Sequence, residues 1–422
     1  MLPKKWWKLA EGEPLFEIKN IVFDALKEIW EGSETVLNSK LFGITYKALF
    51  ESIEKGYGHV QYEMPDYEFV RQLQNSAKYF AARKTALQVI QLTALTADPA
   101  NGTKRSWREF KQLSKGVVGN YNQTWLKTEY DTAIRVSRAA RQWKDFEKTK
   151  HLFPNIVYRR TVSATPDEGH LKYVGITLPI DHPFWDDHTP PIRWGCKCSV
   201  KNTDAEPTSI PSDIDVVDPV EPALQNNAGK TGEIFNIKKS TYANETQHIP
   251  DEILNKKLRT EVYPSLDFYA NAYENKDNGG ALFIHAGVPE DEFNLNVKNG
   301  FILAKNGYKV KIEPRRFVDG QSDPDLLING KKADLKAPTT KNAINSRARD
   351  ANNQGCEYVV FSVKREDFDY GYLADSLRSS LGNQDRKSNI KKVIVHYKDN
   401  NQLFEFDRSE LKTNESILEK LK

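Results

Sequence analysis

Sulfur is scarce in this chain: three cysteines, Cys196, Cys198 and Cys356, and two methionines stand among 422 residues. Three thiols cannot build a disulfide framework, which excludes the small stapled secreted class and points to a reducing compartment. No apolar run approaches the ~20 residues that a helix needs to span a bilayer. The opening "MLPKKWWKLAEGEPLF" lacks the apolar core and small-residue cleavage site of a signal peptide. We therefore expect no membrane span and a protein that is cytoplasmic when synthesised. An excess of one charge is missing too, with 61 basic residues against 58 acidic ones. That balance excludes a protein that coats DNA through a dense basic surface, so any nucleic-acid contact must come from a local patch. No internal repeat is present.

What is there suits a soluble globular chain of two or three domains, 39% hydrophobic and 28% charged. The small net charge is unevenly spread. Residues 1–200 carry 29 basic and 23 acidic side chains, residues 201–232 carry 2 and 6, and the remainder is nearly neutral. The middle stretch, "KNTDAEPTSIPSDIDVVDPVEPALQNNAGKTG", is rich in Pro, Asp, Ser and Asn without a sustained period, the pattern of an extended acidic linker. The expected division is a domain over 1–200, a linker over 201–232, a connector over 233–278 and a second domain over 279–422.

Up to Lys150 the pattern is helical. Ile18, Val22, Leu26 and Ile29 recur at helical spacing, as do Leu73, Ala77, Phe80 and Leu87, and a third long helix is predicted around "YNQTWLKTEYDTAIRVSRAARQWKDF". Trp6 and Trp7 suit the anchoring of an N-terminal helix. After Lys150 come short strands and turns, ending in "YVGITLPIDHPFWDDHTPPIRWGCKCSV". Cys196 and Cys198, with His170, His182 and His188 upstream, have ligand chemistry for zinc, but C-x-C is not the spacing of common structural sites; stapling of a compact subdomain is the other reading.

Most of residues 1–200 resembles the phage Mu protein F-like (MuF) minor head, or head morphogenesis, proteins. The resemblance rests on "SAKYFAARKTALQVIQL", "SWREFKQLSKGVVGNYNQTWLKTEYDTAIRVSRAARQW" and the closing PP-x-x-W-x-C-x-C element. Where such proteins carry an acid before the histidine, this chain has Ser163 and Ala164. The resemblance implies an α-rich domain with a structural role at the portal or inside the phage head, binding portal and head proteins and often carrying a C-terminal toxin.

In the C-terminal half, "GGALFIHAGVPEDEFNLNVKNGFILAKNGYKVKIEP" reads as strand, helix, strand. Pro289 opens the helix, Glu290, Asp291 and Glu292 fill its first turn, and Phe293, Val297, Phe301 and Ala304 form its apolar stripe; Glu292, Asn296 and Asn299 fall on another face. Next, "SDPDLLINGKKADLKAP" contains Asn329-Gly330, the strongest short signal for a two-residue type I′ hairpin. Counting outward from that turn sets Asp325 opposite Asp334, and strand alternation puts Asp334 and Lys336 on one face. Opposed carboxylates repel unless something offsets them, and a divalent cation or Lys336 would do so; the plain alternative is a solvated hairpin neutralised by Lys331, Lys332 and Lys336. A helix follows over "TTKNAINSRARDANNQG", with Ile344, Ala348 and Ala351 inward and Lys341, Arg347 and Arg349 outward, then the strands "EYVVFSV", "KKVIVHY" and "QLFEFD". Cys356 reads as packing.

This order, with its acids, resembles the PD-(D/E)xK nuclease fold, and more narrowly the C-terminal tRNA nuclease domains of contact-dependent inhibition and other polymorphic toxins, over residues 279–363. The fold class implied for the whole chain is multidomain α+β, an α-rich domain joined to an α/β nuclease-like one. The resemblance implies that Asp325 and Asp334 hold Mg²⁺ or Mn²⁺, that Asp325, Asp334 and Lys336 are catalytic with Glu292 (Glu290 second) as the helix acid, and that Lys341, Arg347, Arg349 and Gln354 contact nucleic acid. It also implies a tRNA or other nucleic-acid substrate and a cognate immunity protein, with delivery from the phage head into the cytoplasm of a target cell. Two rivals are a purely structural head protein with an inactive C-terminal domain and a DNA endonuclease of the same fold.

Overall fold

The computed structural model describes residues 15–32, 36–161, 168–212, 214, 219–315, 324–383 and 388–422. Trp6, Trp7, Ser163 and Ala164 lie outside them. Two compact units emerge, Met1–Leu258 and Arg259–Lys422. Among the described residues, no helix is long and apolar enough to cross a membrane.

The first unit is built on five helices: α1 (Leu15–Glu31), α2 (Ser39–Tyr57), α3 (Tyr67–Ala94), α4 (Trp107–Gly119) and α5 (Trp125–Thr149), with a π-helical turn, Asn120–Thr124, joining the last two. Local chemistry sets the starts. Asn38 caps α2 by accepting from the backbone of Lys40 and Leu41, and Ser106 with Glu109 forms a capping box on α4. The residues at helical spacing, Ile18, Val22, Leu26, Ile29, Leu73, Ala77, Phe80 and Leu87, are all buried. After α5 a three-stranded antiparallel sheet forms from β1 (Asn155–Arg159), β2 (Thr177–Pro179) and β3 (Ser199–Thr203), with β1 in the centre.

The division of the chain differs from the expected one. Past the acidic stretch, the backbone returns to the helices: Val220, Ala223, Leu224 and Ala228 are buried. Gly229 packs so closely on Trp143 that a Cβ there would fall 2.3 Å from the Trp143 Cβ. The Phe235 ring packs at a tilt against Phe80 with centroids 4.8 Å apart, and Arg83 donates to the carbonyls of Thr246 and Ile249 at 2.7 and 2.9 Å. The described part of 201–232, and the connector as far as Leu258, thus complete the first unit. Composition marks where regular structure stops; it does not report apolar residues scattered every few positions along irregular backbone.

The second unit is one eight-stranded sheet, ordered β11-β10-β9-β8-β7-β6-β5-β4. Its elements are β4 (Tyr269–Glu274), β5 (Ala281–His285), α6 (Glu290–Lys305), β6 (Lys309–Ile312), β7 (Leu326–Ile328), β8 (Lys331–Lys336), α7 (Lys341–Asn353), β9 (Tyr358–Val363), α8 (Tyr370–Leu381), β10 (Lys392–Tyr397), β11 (Gln402–Asp407) and α9 (Asn414–Leu421). Strands β5 and β6 are parallel across α6, and β8, β9 and β10 are parallel across α7 and α8, while β4, β7 and β11 run the other way. The unit begins at Arg259, before the expected Gly279, because β4 pairs antiparallel with β5 and forms an edge of the sheet.

The two faces are covered by different helices. Gly300 of α6 approaches Leu282, Val310 and Ile312, which places α6 on their face. Residues in register point the same way, so the pairs Ile312↔Leu326, Leu326↔Ala333 and Leu335↔Val360 carry that face across the sheet. Val359, Phe361 and Val363 point to the other face and pack with Ile344, Ala348 and Ala351 of α7 and with Leu373 and Leu377 of α8. Asp334 registers with Val359 and Lys336 with Phe361. Both side chains therefore lie on the α7 side.

Candidate active site

The turn residues Asn329 and Gly330 have φ of 50° and 79°, the two positive values a type I′ turn requires, and Ile328 pairs with Lys331 as the spacing predicts. One step beyond the last paired residues, Leu326 and Ala333, stand Asp325 and Asp334. Asp325 is held there twice: its carbonyl accepts from Glu313 N–H at 3.1 Å, and its Oδ2 accepts from Leu335 N–H at 3.1 Å.

Lys336 Nζ lies 2.7 Å from Asp334 Oδ1 and 3.7 Å from Asp325 Oδ2. The three expected residues are thus brought together, with one ammonium against two carboxylates. Asp334 is wholly buried, whereas Lys336 and Asp325 keep part of their side chains exposed. Lys336 thus meets the buried Asp334 carboxylate as an ion pair and shares its charge with Asp325. Burial first, and Asp325 second, push the Asp334 carboxyl up to about 7 despite Lys336, which pulls it down. Cys356, buried in the core of the α7 face, is near enough that after burial both acids help push its thiol up to about 12. It behaves as a packed apolar group, as its sequence context suggests.

The donor set fits a hard divalent cation. Two carboxylates converge from adjacent strands on a single ammonium, one of them wholly buried. Asp325 and Asp334 are the residues that would hold such an ion, beside a lysine that already balances part of their charge.

Other expected residues are placed differently. Glu292 sits in the first turn of α6, on the helix that covers the opposite face, and ion-pairs with Arg315 beyond the end of β6. No contact between it and the hairpin acids is seen among the described residues. The polar stripe it shares with Asn296 and Asn299 turns inward: both asparagines are buried, and Asn299 Oδ1 lies 2.7 Å from His396 Nδ1 on β10. Lys341, at the start of α7, is bonded to Asp375 of α8. Arg347 makes only a 3.6 Å pair with Asp350 one turn on, and Arg349 is exposed with no ion pair among the described residues. Gln354 closes α7, its Oε1 3.9 Å from Cys356 Sγ. Sequence reasoning missed Arg315 and Asp375, the partners of Glu292 and Lys341. No periodicity signals a pair formed between separate elements.

With this geometry in view, the match by family model falls on the same stretch. Residues 322–401 match the Contact-dependent growth inhibition CdiA C-terminal domain. The matched segment is thus similar to a toxin domain of contact-dependent inhibition, and it contains Asp325, Asp334 and Lys336 but not Glu292. Among solved structures, the CdiA-CT/CdiI toxin and immunity complex from Burkholderia pseudomallei is 20% identical, with 28% of this chain and 85% of that chain covered at a TM-score of 0.22, a likeness too slight to define a shared fold. No curated protein matches the chain.

Proposed function

We propose that the C-terminal unit is a metal-dependent nuclease toxin that hydrolyses phosphodiesters of nucleic acid, with tRNA as substrate. The observation that carries this reading is the wholly buried Asp334 set against Asp325, with the Lys336 ammonium beside both. A solvated hairpin has no reason to bury a carboxylate in that state, at a cost of several kcal/mol unless a partner offsets it. Asp325 and Asp334 hold Mg²⁺ or Mn²⁺. When bound, that ion supplies Lewis acidity toward a phosphate oxygen and lowers the pKa of a coordinated water.

The chain's own residues do the rest. Asp334 must lose its proton to serve as a ligand, and Asp325, held by the Leu335 amide, is oriented for the same task. Lys336 contributes positive charge where the phosphorane oxyanion develops. Glu292, at the start of α6 and engaged by Arg315, acts on the site only indirectly. The near-neutral C-terminal half disfavours long tracking along duplex DNA and suits a folded RNA gripped at a few points by Arg347, Arg349 and Lys341, with Gln354 supporting α7.

In the same reading the first unit is a MuF-like head domain that contacts portal and head proteins, carries the toxin in the virion and delivers it to the target cytoplasm, while an immunity protein protects the producer. The test is cleavage by the full-length chain with Mg²⁺ and with chelator, on total tRNA and on plasmid DNA. We expect tRNA to be cut and plasmid spared, with all cutting lost in chelator. Equal or faster cutting of duplex DNA at physiological salt overturns the tRNA assignment; cutting that survives chelation overturns the metal site.

A further inference from the structure

One cluster of ligand-bearing side chains plays no part in the proposed nuclease. In the first unit, the short helix Glu168–Leu171 brings His170 beside Cys196 and Cys198, which precede β3. One ligand atom from each of the three lies within 4.8 Å of the others. Topology makes the meeting: β1 and β3 pair with Arg159 opposite Ser199, so the chain leaving β1 starts next to Cys198, and the helix folds His170 back onto it. Cys196 and Cys198 are two apart along the chain approaching β3, where i and i+2 share a side.

We propose that His170, Cys196 and Cys198 bind a zinc ion, with water as the fourth ligand. The spacing suits it. Tetrahedral ligands at ordinary Zn–S and Zn–N distances stand about 3.4–3.8 Å apart, and Cys198 Sγ lies 3.6 Å from His170 Nδ1. The surroundings suit it as well. His170 and Cys196 are buried, Cys198 is part-buried, and the Cys198 N–H points at Cys196 Sγ at 3.4 Å, the backbone donation that steadies a metal-bound thiolate. None of the three cysteines is tied up in a disulfide. His182 and His188 fall outside the cluster of ligand atoms; His182 Nδ1 accepts from Phe184 N–H instead. The site closes the loop from β1 through β2 to β3, and its chemistry is that of a soft or borderline cation, unlike the hard oxygen site of the second unit.

The test uses the full-length chain purified reduced, loaded with zinc and dialysed, then analysed for metal and for alkylation of each cysteine. We expect one zinc per chain, Cys196 and Cys198 shielded from alkylation by zinc and exposed by chelator, and Cys356 indifferent to either. Cobalt loading should give the intense thiolate-to-metal absorption of a tetrahedral site with two sulfurs. Cys198→Ser should lower zinc retention at least tenfold and remove about half of that absorption. A chain that retains no zinc, alkylation of Cys196 and Cys198 at the same rate with and without zinc, or a Cys196–Cys198 disulfide in the reduced protein overturns the proposal. The metal and alkylation readings on the unaltered chain decide the matter even if a variant fails to fold.

Discussion

Each unit sets a lysine against a buried carboxylate, and the two pairs are built to opposite ends. In the first, Lys84 Nζ meets Glu129 Oε2 at 2.5 Å with both side chains almost fully buried, and the Tyr242 hydroxyl donates to the other oxygen, Oε1. One positive charge meets one negative charge and both carboxylate oxygens are bonded. In the second, Lys336 serves two acids, one of them wholly buried. Burial pushes Glu129 and Asp334 in the same direction and a lysine opposes it in each, but Tyr242 helps Lys84 at Glu129, whereas Asp325 works against Lys336 at Asp334. A closed network holds helices together; an open one, with an excess of carboxylate, is suited to receive a cation.

The largest effect that would sharpen this contrast is on activity. Asp325→Ala and Lys336→Ala should each lower cleavage and growth inhibition by roughly a thousandfold while the circular dichroism spectrum is kept. A variant as toxic as the parent would remove the hairpin from the mechanism.

Breaking the closed pair should do the reverse. Lys84→Ala leaves a buried carboxylate without its cation and should destabilise the first unit by about 3–5 kcal/mol in denaturant unfolding, with cleavage by the folded protein unchanged. A negligible loss of stability would mean that Glu129 is protonated and needs no partner.

A third test uses pH. The Asp334 carboxyl is raised from 3.8 to about 7. Between those values the folded state keeps a proton that the unfolded chain has released, so metal-free stability falls as pH rises through this window. Asp334→Asn should flatten that slope and add about 1–2 kcal/mol at pH 8, measured by urea unfolding in chelator, and it should abolish the rise in cleavage through pH about 7 that deprotonation produces in the parent. An unchanged slope would show that Asp334 is not the group that titrates.

The smallest expected effect concerns Glu292. Glu292→Gln should lower cleavage by about tenfold, since its carboxylate is already engaged by Arg315. A loss as large as that of Asp325→Ala would return it to the centre of the site.

Much of the second unit was legible because its signals are local. Asn329-Gly330 set the hairpin, Pro289 the start of α6, and Asn306-Gly307 its end, with Gly307 at φ 92°. The buried strand β9 followed from its continuous apolar run and the inward residues of α7 from their helical spacing. Harder to read were β4, which lacks a clean apolar alternation and becomes a strand by pairing with β5, and residues 219–258, whose scattered apolar side chains gain meaning only against α3 and α5.

By itself the sequence determined that Asp325, Asp334 and Lys336 share one face, because alternation along a strand and the length of a two-residue turn permit no other register. It also placed Cys196 and Cys198 with a single residue between them. Burial was settled elsewhere. Asp334 loses all contact with solvent only because α7 and α8 cover its face of the sheet, and His170 meets the two thiols only because β1 and β3 pair. Desolvation and ligand geometry depend on atoms distant in the chain, and no local pattern can carry them.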